Sequence, residues 1–155
     1  HKGVPSRDVP HCKLEPRGMT ALLDAVGKAI NETGARIKEM DEASRPGLVV
    51  FAVLTDGHEN SSKEFTNTQI KEMIDRQTKD YQWKFTFLGA DAKAFDEAMR
   101  MGFARGATAV YDAATKTADT YAVMSNKVSG ARGQSMGGAV PTMDFSEEDR
   151  KDLAK

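Results

Sequence analysis

The stretch Leu48-Val49-Val50-Phe51-Ala52-Val53-Leu54-Thr55-Asp56-Gly57 decides the fold class. Its first seven residues are apolar at both parities, the pattern of a strand buried on both faces, which is usually a parallel one. It is far short of the roughly 20 residues that span a bilayer. Asp56-Gly57 ends it with a turn signal, and Arg45-Pro46-Gly47 breaks the chain just ahead of it.

Upstream, Leu22, Leu23, Val26, Ile30 and Ile37 follow three-four spacing and predict an amphipathic helix over 20–40. Downstream, Ile70, Met73 and Ile74 predict a helix over 67–81 with Thr66 as its N-cap. Trp83 to Gly89 reads as an aromatic-rich strand, with Trp83, Phe85 and Phe87 on the core face and Lys84 and Thr86 on the surface face. Phe95, Ala98, Met99 and Met101 mark a helix closed by Gly102. Ala107 to Tyr111 forms a shorter strand, and 117–128 a last amphipathic helix.

Helices and strands thus alternate, which implies a parallel sheet with right-handed crossovers. The expected fold class is α/β: a three-layer, Rossmann-like parallel sheet with helices on both faces. Three domain segments are expected. Residues 1–18 hold Pro5, Pro10 and Pro16 and form an irregular lead-in. Residues 19–128 form the α/β domain. Residues 129–155 form a flexible Gly-rich tail, in which Ser146 and Asp149 stand at capping-box spacing for a short, exposed, charged helix.

Lys and Arg together number 22 against 23 Asp and Glu, so no basic footprint for nucleic acid exists. No membrane span is expected. The single cysteine, Cys12, cannot close an internal disulfide, which fits a reducing, cytoplasmic setting. His11-Cys12 has no second ligand pair at zinc spacing. No phosphate-binding loop occurs, and Gly27-Lys28 falls inside a predicted helix.

In open parallel sheets ligands sit outside the carboxyl ends of the strands. Two loops are expected to meet there: Arg17-Gly18-Met19-Thr20 ahead of the first helix, and Thr55-Asp56-Gly57-His58-Glu59 after the apolar strand. A hydroxyl at Thr20 and a carboxylate at Asp56 form a partial oxygen ligand set for a hard cation that keeps several waters. Competing readings are a helix N-cap for Thr20 and plain turn chemistry for Asp56. His58 and Glu59 read as a solvated loop or as outer contacts of the cation. Asp24 reads as a carboxylate favoured by the helix dipole.

Gly18-Met19-Thr20-Ala21-Leu22-Leu23-Asp24-Ala25, paired with Val53-Leu54-Thr55-Asp56-Gly57, resembles the von Willebrand factor A (VWA) domain, in its small bacterial and phage forms, over about residues 3–128. The resemblance implies a metal-ion-dependent adhesion site (MIDAS) in which Thr20 is the second-loop threonine and Asp56 the third-loop aspartate. It also implies Mg²⁺ or Mn²⁺ as the ion and a protein partner bound through an acidic residue. The family's Asp-x-Ser-x-Ser loop occurs nowhere in this sequence. The central first strand that carries it is therefore expected to be missing, N-terminal to His1. The strand at Leu48 to Leu54 would then be an open edge, prone to pair with a second copy or to be completed by another chain.

The leading expectation is a cation-assisted protein-interaction module rather than an enzyme. Its rivals are a metal-assisted hydrolase on the same loop face, with His58 as base, and an inactive truncated fragment.

Overall fold

A computed structural model describes residues 18–112 and 117–154. Residues 1–17 of the lead-in, with the His11-Cys12 pair, lie outside them. The order is α1 (Leu22–Glu39), β1 (Val50–Thr55), α2 (Asn67–Tyr81), β2 (Lys84–Gly89), α3 (Ala92–Arg100), β3 (Thr108–Val110), α4 (Thr117–Met136) and α5 (Glu147–Leu153). The strands form a parallel sheet in the order β1-β2-β3, with Phe51 opposite Phe85, Val53 opposite Phe87 and Thr55 opposite Gly89.

Those register pairs define the main core face. Val53, Phe85 and Phe87 pack with Leu22, Val26 and Ile30 of α1, Ile70 and Ile74 of α2, and Ala94 and Ala98 of α3. Phe85 and Phe87 both meet Phe103 edge-on, with ring centroids 6.1 and 5.2 Å apart. Such contacts stabilise beyond simple area burial, by about 1 kcal/mol per pair.

The opposite face is also covered. Leu88 and Ala109 pack with Val123 of α4 and with Phe145 and Leu153, while Val50 meets Ala131, Val128 and Met143. Thr86 belongs to this face and is fully buried, so the surface face expected for β2 is interior there. Its hydroxyl donates to the Ala107 carbonyl at 2.9 Å, which answers the cost of burying a polar group.

Residues 129–145 are not a tail. Helix α4 runs on to Met136, well past the expected end at 128, and carries Gly130 and Gly133 within it. It stops where Gly138 takes a left-handed turn (φ 77°) and the Ala139 N–H returns to the Gln134 carbonyl at 2.9 Å. Met143, Phe145 and Leu153 are then buried, so the last segment completes the second core face. Ser146 and Asp149 do form the expected capping box.

The strand β1 departs from its expectation of burial on both faces. Phe51, Val53 and Thr55 face the main core, but Ala52 and Leu54 are exposed, Leu54 at 38%. Among the described residues no strand pairs with its outer edge. No helix there is long and apolar enough to cross a membrane.

Candidate functional site

The carboxyl ends of the three strands and the start of α1 come together, because parallel strands emit their loops at one end of the sheet. Helix α1 begins at Leu22 with Ala21 as its N-cap, and no side chain of its own segment caps it. The first-turn amides are served across the chain instead. Leu23 N–H donates to Glu59 Oε2 at 2.9 Å, and Asp24 N–H donates to Ser62 Oγ at 3.1 Å. Thr20 is therefore not the helix cap.

Glu59 is fastened from three further sides. Its carboxylate accepts the Ser61 and Ser62 amides at 3.0 and 2.8 Å and the Ser62 hydroxyl at 2.7 Å. Burial acts to raise its pKa, but the donors from Ser62, Leu23 and Ser61 outweigh this and hold the carboxyl below its usual range. Asp24 does the converse job from the helix. Its two oxygens accept the amides of Lys63, Glu64 and Phe65 at 2.9, 2.9 and 3.0 Å, and its pKa is lowered, the Lys63 amide being the largest cause. The solvated-loop reading of Glu59 and the dipole-only reading of Asp24 both give way to this exchange of capping groups. Phe65 completes the dock by lying on α1 at Gly27, where a Cβ would fall 2.7 Å from the ring.

This clamp places Thr20. Its N–H donates to Asn60 Oδ1 at 2.9 Å, and its carbonyl accepts the Asn60 N–H at 3.1 Å. Its hydroxyl oxygen is pressed against Gly57, so closely that a Cβ there would overlap Thr20 Oγ1. The turn itself is held by Thr55, whose hydroxyl donates to the Gly57 carbonyl at 2.9 Å. Thr20 and the Asp56-Gly57 turn, far apart in sequence, are thus adjacent. The Asp56 side chain is exposed and makes no hydrogen bond or ion pair among the described residues, and Thr20 Oγ1 makes no hydrogen bond there either.

No family model, curated protein or solved structure matches this chain.

Around the pair stand His58 and three groups that the sequence does not single out for the site, Tyr111, Asp91 and Glu97. Tyr111, just after β3, is buried; that burial raises its phenol pKa, and the Asp56 carboxylate raises it further. His58 bridges to α3, with Nε2 3.2 Å from the Asp91 carboxylate and Nδ1 3.9 Å from Glu97. Asp91 caps α3 through the Ala94 N–H at 2.9 Å; that bond is the largest cause of its lowered pKa, and His58 adds to it. Both ring nitrogens of His58 therefore face carboxylates that bracket the loop after β1. Neither the Asp91 nor the Glu97 role has a local sequence signal, although Asp91 three residues ahead of Ala94 has N-cap character.

Proposed function

We propose that the chain is a VWA-like, Rossmann-like interaction module that binds a protein partner through Mg²⁺ or Mn²⁺ at Thr20 and Asp56. The observation that carries the reading is the contact of Thr20 Oγ1 with the Asp56-Gly57 turn. It supports the reading because Glu59 and Ser62 already cap α1, so the threonine hydroxyl is spared from local duty.

The donor chemistry fits a hard, hydrated cation. An exposed carboxylate and a hydroxyl are oxygen ligands, and Mg²⁺ normally takes only one or two protein carboxylates while keeping several waters. In this reading Thr20 and Asp56 are the protein's contribution. A bound ion supplies a positive, directional contact for a partner's acidic side chain. Asn60, Glu59 and Asp24 position Thr20 and the loop without touching the ion.

The outer edge of β1 extends the proposal. Its exposed Ala52 and Leu54, with no charge or proline among residues 50–55, leave it without the charged or proline residues that often guard a sheet edge against strand pairing. In this reading a further strand, from a second copy or another chain, completes the sheet beside the cation face.

Calorimetric titration with Mg²⁺ and Mn²⁺ tests the cation reading. Saturable binding lost in both Asp56→Ala and Thr20→Ala is expected. Absence of heat at millimolar metal, or full binding in Asp56→Ala, contradicts it.

A further inference from the structure

A cavity lies at the end of the sheet opposite the candidate site, between the C-terminal halves of α1 and α2. It has a volume of about 450 Å³ and is floored by Ile30, Ile37 and the indole of Trp83, a size suited to small organic ligands. Trp83 is set there by the end of α2. Gln82 takes a left-handed turn (φ 56°), and the Trp83 N–H returns to the Gln77 carbonyl at 3.1 Å.

Gly34 supplies the second observation. It lies in the interior of α1, where glycine costs about 1 kcal/mol relative to alanine. A Cβ at Gly34 would meet nothing within 4 Å, so no contact inside the protein requires glycine. The position opens directly into the cavity.

Charge supplies the third. Among the described residues the charged lining groups are Lys38, Arg45 and Arg76, with no carboxylate among them. Arg45 is held at the rim by the Met40 and Lys38 carbonyls at 3.2 and 3.5 Å, neutral acceptors, so among the described residues its charge meets no carboxylate in an ion pair. Arg76 meets Asp80 only at 4.0 Å, and both side chains are well exposed, so that pair is weak.

We infer that this groove binds an amphipathic organic anion, its apolar body against Trp83 and over Gly34 and its carboxylate or sulfonate at the Lys38–Arg45–Arg76 rim. The apolar floor would supply the affinity for the body, and the three cations, of which only Arg76 has a weak carboxylate partner among the described residues, would select anions over neutral or cationic analogues.

Trp83 is the only tryptophan in the chain, so its fluorescence reads the site directly. Decanoate, decanol and decyltrimethylammonium would be titrated below their aggregation limits into the full chain and into Gly34→Leu and Arg76→Gln. A saturable change is expected with decanoate, about tenfold weaker with the cation and in Arg76→Gln, the loss of one charged hydrogen bond. In Gly34→Leu, which fills the groove and favours the helix, it should vanish. Lack of saturation by decanoate, equal response to the cationic analogue, or wild-type binding in a folded Gly34→Leu overturns the inference. If circular dichroism shows Gly34→Leu unfolded, unchanged decanoate affinity in Arg76→Gln overturns it alone.

Discussion

The carboxylate of Glu59 accepts the backbone N–H of Leu23 at 2.9 Å across 36 positions of sequence, so the loop after β1 caps the helix that precedes β1. The cap couples the two halves of the candidate site. Truncating Glu59→Ala strands the Leu23, Ser61 and Ser62 amides and is expected to cost about 2 kcal/mol, the range of a lost helix cap with charged hydrogen bonds. Urea denaturation checks this. A midpoint equal to wild type would mean that the loop does not depend on the cap.

The acid limb of stability follows from the same contacts. Asp24, Glu59, Asp91 and Asp149 all sit below their ordinary values. At Asp149 burial acts the other way, but the Lys127 ammonium 2.7 Å away and the Ser146 donors together outweigh it. A carboxyl with a depressed folded pKa contributes stability that is present above its unfolded value and lost as pH falls through the folded one. Stability should therefore hold down to about the ordinary glutamate value of 4.5 and fall steeply below the aspartate value of 3.8. Equal urea midpoints at about pH 3 and pH 7 would contradict this sign.

Much of the scaffold is legible in the amino-acid sequence. Thr66 announces α2, which spans the expected 67–81, and Ser146 with Asp149 announces α5. In both cases the signal is local, a cap within one turn. What fails is non-local. An apolar run cannot say whether a neighbour covers it, so β1 reads as doubly buried while Ala52 and Leu54 are exposed. Glycines at 130 and 133 suggest a linker, yet Ala131 at 1% exposure packs under the sheet and carries α4 through them. At the candidate site, Thr20 and Asp56 stand out in the sequence as residue types, whereas Glu59 and Asp24 reveal their capping exchange only once the loop is folded back.

Gly57→Ala offers a sharper probe of the loop contact. The added Cβ overlaps Thr20 Oγ1, so the threonine hydroxyl must rotate away or the two loops must separate, and either breaks the contact. Overpacking of this kind costs about 1–3 kcal/mol, and Mn²⁺ affinity is expected to drop with it. Wild-type stability and affinity in Gly57→Ala would show that the contact is not needed.

The open edge of β1 gives a prediction about association. Sedimentation velocity across a concentration series should show reversible growth for the wild-type chain. Leu54→Lys places a charge on the exposed position and should suppress it, as edge lysines do in natural sheets. A wild-type monomer at every concentration would sink the pairing proposal.

The proposed cation site is tested most directly by where a paramagnetic ion lands. Substoichiometric Mn²⁺ added to ¹⁵N-labelled protein should broaden the amide signals of Thr20, Ala21, Asp56, Gly57 and His58, and leave the Trp83 indole, at the far end of the sheet, sharp. Asp56→Ala should abolish the broadening. Uniform broadening, or broadening centred elsewhere and unchanged in Asp56→Ala, would contradict a cation held by Thr20 and Asp56.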